Sequence, residues 1–208
     1  MRKIALALCG LASFCIASAQ FSVGVNGNYT KYGGNLSKST PGFGVRAAYE
    51  ADRTAGVLSF TNGFAITEKG SVSVTNVSNG STKSVAAEGQ YNFKTFTLMG
   101  NRTLIGDEES TGKFYFGFGA SYVIAKYSEK ITEKYDNTYT APEMYNDSES
   151  GLTMNGLLGG EYKVGMPSIF AEAGYSFPAN QVNNAYVENV IPAHLTINVG
   201  VKFTLGSR

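Results

Sequence analysis

The chain has 208 residues, a length that fits one domain, and it combines 16% charged residues with 25 Gly, 5 Pro, 13 Tyr, 13 Phe and no Trp, the make-up of many strands joined by glycine-bearing turns. Both cysteines, Cys9 and Cys15, fall in an N-terminal segment expected to be removed, which excludes disulfide, thiolate-metal and cysteine-nucleophile chemistry from the remainder. With Arg2 and Lys3 also gone, 15 basic residues stand against 16 acidic ones, a net charge of −1 that argues against a nucleic-acid partner.

Residues 1–19 read as a secretory signal: Arg2 and Lys3, an apolar core from Ile4 to Ile16, and Ala17-Ser18-Ala19 as the cleavage site. The mature chain is expected to begin at Gln20. After it, no apolar run is long enough for a transmembrane helix. The mature chain alternates at period two instead, the signature of strands with one apolar and one polar face.

A first strand over 20–30 sets Phe21, Val23, Val25 and Tyr29 against Ser22, Asn26, Asn28 and Thr30, and a loop runs from Lys31 to Pro41. Strand two, 42–50, sets Phe43, Val45, Ala47 and Tyr49 against Arg46 and Glu50, and leads through a tight turn into strand three, 57–67. Residues 68–83, with Asn79-Gly80, read as a polar loop. Strand four begins with apolar residues at odd positions, Val85 to Phe93, but Phe96 and Leu98 are even. The expectation is one strand over 84–105 with a β-bulge near 94–96.

Strand five spans 113–127, where Phe114, Phe116, Phe118, Tyr122 and Ile124 oppose Gly117, Gly119 and Ser121. A long charged loop is expected over 128–151. Strands six (152–163) and seven (168–177) are separated by a short turn, and a loop covers 179–190. The last strand, 191–205, is apolar at every odd position and carries His194, Asn198 and Lys202 on its even face. Linkers after the odd-numbered strands are long and polar, whereas those after the even-numbered ones are short. The fold class expected is all-β: a closed, eight-stranded, antiparallel, up-and-down transmembrane β-barrel, with long connections at one end and short turns at the other.

The final strand resembles the β-signal of outer-membrane barrels, polar-x-Gly-x-x-aromatic-x-apolar, with Asn198, Gly200, Phe203 and Leu205 in the four specified positions. With the leader and the strand rhythm, residues 20–208 resemble the small eight-stranded outer-membrane β-barrels of Gram-negative bacteria, the group of the OmpA transmembrane domain and OmpX. The resemblance implies an outer-membrane location, contact with outer-membrane lipid, assembly by the barrel-insertion machinery, and an internal salt-bridge network. It does not specify an activity, because the fold hosts structural proteins, adhesins, small pores and a few enzymes.

Inward-facing charge is expected from Arg46, Glu50, Glu88, Glu161, Lys163, Glu172, His194 and Lys202, in a lumen that eight strands leave barely wide enough for side chains. Such a set forms either a plug or a gated ion path. His194 is the sole histidine; with a serine and an acid at its depth it would suit a lipid-modifying enzyme. No residue pattern proposes a metal or cofactor site. In the long loop, Tyr135, Tyr139 and Tyr145 are candidates for binding a surface ligand, since tyrosine offers contact area at low entropic cost; Tyr127, near a strand end, reads as part of an aromatic girdle. The function expected is a non-enzymatic structural or surface-interaction role through the external loops, with a narrow pore as the alternative and a lipid-modifying enzyme behind it.

Overall fold

The computed structural model describes residues 20–34, 36–107, 110–179 and 191–205; the expected leader 1–19, residues 180–190 of the last loop and the tail 206–208 lie outside them. The described residues form ten strands: β1 (Gln20–Tyr32), β2 (Ser39–Ala51), β3 (Thr54–Gly63), β4 (Ile66–Asn76), β5 (Thr82–Ile105), β6 (Gly112–Ile131), β7 (Tyr139–Thr140), β8 (Asn146–Lys163), β9 (Pro167–Pro178) and β10 (His194–Leu205). Eight of them close a ring, β1-β2-β3-β5-β6-β8-β9-β10, and every neighbour is antiparallel. The last strand returns to the first, with Leu205 opposite Phe21 and His194 opposite Tyr32. Ring closure leaves no unpaired edge, the condition a sheet must meet inside hydrocarbon.

The outside of the ring is apolar and bare. Val25, Leu58, Leu98, Phe118, Leu158 and Val199 are each more than half exposed, a continuous band much larger than a soluble monomer leaves open. Aromatic side chains border it, with Tyr29, Phe43, Phe64 and Tyr175 toward one end and Phe21, Tyr49, Tyr162 and Phe203 toward the other. This is the distribution that matches a hydrocarbon slab between two aqueous interfaces. The connections at one end are tight: residues 52–53, with Asp52 at φ 53, and residues 164–166, with Gly165 at φ 77. At the other end they are long, as the linker rhythm predicts.

Three expectations change. Strand three ends at Gly63 rather than at 67, and residues 68–76 are not loop: with Ile66 and Thr67 they form β4, which pairs with the first half of β5 from Ile66–Tyr91 to Thr75–Thr82. Between β3 and β4 the chain only bends, so 54–76 and 82–105 make one long hairpin that leaves the barrel and turns at Asn76, whose Oδ1 accepts from the amides of Ser78 and Asn79. The long loop contracts as well, since β6 runs to Ile131 and β8 starts at Asn146. There is no bulge near 94–96 either: β5 and β6 stay in register from Ala87–Ile131 to Thr103–Tyr115, and the irregularity lies between Thr103 and Ile105.

The phase slip that suggested a bulge has another cause. Odd residues of β5 point inward as far as Thr103, so Val85, Ala87 and Phe93 are buried, whereas Phe96 and Leu98 point outward and are exposed. Beyond the barrel the outer face meets water and the inner face is the dry one; within the barrel the outer face meets hydrocarbon. The medium changes, not the register, and the apolar phase therefore inverts between Phe93 and Phe96.

Candidate functional site

At the end of the barrel where the turns are short, the lumen is filled by a neutral set of three cations and three carboxylates. Arg46 Nη1 donates to Glu172 Oε1 at 2.7 Å. Lys202 Nζ lies 2.7 Å from Glu161 Oε2 and also pairs with Glu50, which takes Lys113 Nζ on its second oxygen at 3.3 Å and the Ser22 hydroxyl at 3.1 Å. The Tyr115 hydroxyl donates to Glu172 Oε1 at 2.8 Å. All six charged side chains are largely buried. Pairing and hydrogen bonding offset a desolvation penalty that an isolated charge would not survive.

Two glycines make this packing sterically feasible. A Cβ on Gly200 would lie 2.3 Å from Val25 O and 2.6 Å from Phe170 Cζ, and one on Gly159 would lie 2.6 Å from the Tyr115 ring. The tip of the Phe170 ring thus closes on β10 at Gly200, and the Arg46 guanidinium lies over the ring at 4.3 Å from its centre, a cation–π contact that adds to the ion pair.

Next to the plug lies a cavity of about 100 Å³, bounded by Arg46 and Glu172 and lined by Asn28, Ser59, Asn101 and Asn155 together with the apolar Val57 and Met99. The Asn28 amide and Asn101 Oδ1 have no protein partner among the described residues, and the space has room for several waters at about 10–15 Å³ each. The opposite mouth is closed by an apolar cap: Tyr32 stacks on Phe93 at 4.3 Å and joins Ile66, Val123 and Ala125, with Leu36, Tyr91 and Ile191 packed on them. His194 belongs to this cap, 5.4 Å from the Tyr32 ring. Its Nδ1 is 3.0 Å from Pro192 O, and Ser176 is its cross-strand neighbour.

Of the predicted lumen residues, Arg46, Glu50, Glu161, Glu172 and Lys202 meet in the plug. Lys163 ends β8 two residues past Glu161 and is half-buried. Glu88 is displaced: it lies on the outward face beyond the barrel and pairs with Lys130 at 3.4 Å. Lys113, Tyr115 and Phe170 were missed. Extending the inward parity of Gly117, Gly119 and Ser121 back along strand five would have reached Tyr115 and Lys113; nothing in the sequence marks Phe170, an apolar side chain on a polar face.

Four strands continue past the cap as a sheet, β4-β5-β6-β8, with β7 added on the edge of β4. Tyr127 lies on its inner face against Tyr91, ring centres 4.6 Å apart, not in the lipid-facing girdle. Its hydroxyl donates to Glu129; desolvation, then that bond and the carboxylate's charge, push the phenol well above its ordinary range. Tyr139 is half-buried in β7, opposite Asn76, and Tyr135 is half-buried just before it. Tyr145 is 70% exposed, and its carbonyl accepts from the Glu129 amide at 2.8 Å. Asn198, Gly200, Phe203 and Leu205 all lie on β10: Asn198 accepts from Asn26 Nδ2 inside at 3.3 Å, while Phe203 and Leu205 face out.

No family model and no curated protein matches the chain. Solved structures do. A major outer membrane protein from Thermus thermophilus aligns over 90% of this chain and 100% of its own, with a TM-score of 0.63 at 12% identity. Neisserial surface protein A (NspA) covers 90% and 99%, with a TM-score of 0.56 at 16% identity. Ail, the attachment invasion locus protein of Yersinia pestis, solved in complex with the heparin analogue sucrose octasulfate, covers 90% and 97%, with a TM-score of 0.50 at 16% identity. The shared feature is the fold, that of the small outer-membrane β-barrels.

Proposed function

We propose that this chain is an integral outer-membrane protein that works outside the bilayer, presenting the β4-β5-β6-β8 sheet and its loops as a surface for interaction while the barrel serves as an anchor. One observation carries this reading. β5 has 24 residues, about 80 Å of strand at ~3.3 Å per residue, whereas a tilted crossing needs about 9–11 residues. More than half of the strand therefore stands clear of the lipid band, and strands are a costly way to make a mere connection. The closed lumen, charged at one end and capped at the other, supports an anchor over a conduit. The setting of His194, held to Pro192 O and tilted against the Tyr32 ring, supports a packing role for it over catalysis. The likeness in fold to Ail, a protein named for attachment, is in keeping with this reading but does not identify a ligand.

The test compares cells carrying the intact protein with cells in which 132–145 is replaced by a short Gly-Ser turn. Both proteins are expected in washed outer membranes, each as a compact band that slows on boiling. Binding of the cells to host-type surfaces or glycans is expected to fall for the variant only. Equal binding in the two strains would sink the surface role; loss of the compact band from the intact protein would sink the anchor.

A further inference from the structure

The sheet beyond the barrel sorts its charges by face. Alternate residues on its outward side include Lys69, Lys94, Lys126 and Lys130 against one acid, Glu88. Its inward side carries Glu68, Glu129, Asp147 and Glu149, and the one lysine there, Lys83, lies near the tip beside Glu133 at 3.6 Å. Glu88 is taken by Lys130 at 3.4 Å and stands opposite Lys69 in register. Lys69, Lys94 and Lys126 are exposed and have no ion pair among the described residues, but Lys69 has Glu88 opposite it in register, so Lys94 and Lys126 are the two with no acid opposite them.

These two are neighbours. Lys94 is paired with Ile124 and Lys126 with Asn92, so they are diagonal on one face, with Cβ atoms about 7 Å apart. Their other cross-strand neighbours are Asn62 and Ser148; toward the barrel the next outward residues are Phe96 after Lys94 and Ile124 after Lys126, and Phe96 stands opposite Tyr122, 47% and 45% exposed at the border of the apolar band. No acidic residue stands opposite either lysine. Lys94 is one step above the hydrocarbon border and Lys126 two, the height of lipid head groups.

We infer that Lys94 and Lys126 form a clamp for a phosphate group on a glycolipid of the outer leaflet, whose acyl chains lie along the band below Phe96 and Tyr122. The inference rests on the outer-membrane reading above. Two ammonium groups at this spacing can close on the oxygens of one phosphate, and Asn62, Asn92 and Ser148 supply neutral polar neighbours for the sugar. The clamp fixes the depth of the barrel, holding the outer sheet upright from the lipid surface on the lysine side.

The intact protein, purified in an uncharged detergent, is mixed with a bisphosphorylated glucosamine lipid or with the same lipid freed of phosphate, and the lipid retained per barrel is measured by native mass spectrometry. Wild type is expected to hold the phosphorylated lipid, and the double substitution Lys94→Gln, Lys126→Gln to weaken retention about 10- to 30-fold. A control with the same charge loss elsewhere, Lys83→Gln with Lys134→Gln, is expected to behave as wild type. Equal retention by the clamp variant, or equal retention of the phosphate-free lipid, overturns the clamp. Inositol hexakisphosphate binding as tightly as the lipid also overturns it, in favour of a site for soluble polyanions. Gel mobility of each preparation with and without boiling separates the two levels: a compact band with unaltered lipid retention rejects the clamp alone, and no compact band rejects the barrel beneath it.

Discussion

At Glu172 one carboxylate oxygen accepts from both Arg46 and Tyr115, so a single group holds the only ion-pair partner that Arg46 has among the described residues. Removing it leaves the Arg46 guanidinium buried without its partner, a loss of about 3–5 kcal/mol for a desolvated pair. Glu172→Ala is therefore expected to unfold in urea at clearly lower concentration than wild type, followed as loss of the compact gel band. A double substitution of Arg46 and Glu172 by methionine is expected to recover most of that loss, because two apolar side chains of similar volume need no partner. If the single and double variants unfold together, the pair contributes nothing beyond its volume. Phe170 and the two glycines that flank the plug show that its geometry is decided by shape as much as by charge.

At the scale of the element, β5 is a strand that passes through two media in one register. Leu98 and Ala86 are on the same outward face, twelve residues apart, yet the first is in the apolar band and the second is on the sheet beyond it. An arginine at Leu98 is expected to cost about 2–4 kcal/mol, the range for a lipid-facing charge near the midplane, while Ala86→Arg is expected to be nearly neutral. Equilibrium unfolding into denaturant from lipid vesicles measures both. Similar costs at the two sites would mean that the lipid border does not lie between Phe93 and Phe96. The same division explains why the acids of the outer sheet gather on its inward face and the lysines on the side that rises from the lipid.

For the whole molecule, plug, cavity and cap are three layers in series, and the plug and the cap close the lumen in different ways, one by paired charge and one by apolar packing. Replacing 66–91 by a short turn removes β4, half of β5 and part of the cap, but leaves the pairing of Thr54–Asn62 with Lys94–Arg102 that completes the ring. That variant is expected to keep its compact, heat-sensitive band and to show no single-channel current, because Arg46, Glu50, Lys113, Glu161, Glu172 and Lys202 still fill the opposite end. Conductance steps from the trimmed barrel would show that the cap was the seal, and would move the pore from the alternative to the main reading.

Period-two alternation, with the linker rhythm, determined that the chain makes eight barrel strands and which side chains share a face, so that Arg46, Glu50, Glu161, Glu172 and Lys202 fall on the polar one, because side-chain direction along a strand follows from position alone. Alternation carries no information about which medium a face meets, and that is where the sequence reading failed. At 94–96 an inverted apolar phase passes for a bulge, and at 68–76, as at Glu88, polar residues on both faces of a solvated strand pass for loop or for lumen. Only the tertiary structure decided where the barrel ends along β5 and β6, since that depends on which strands continue beside them. It also decided how the plug is wired, since Lys113, Tyr115 and Phe170 reach their partners across the lumen, from strands whose facing is set by closure of the ring and not by any spacing along the chain.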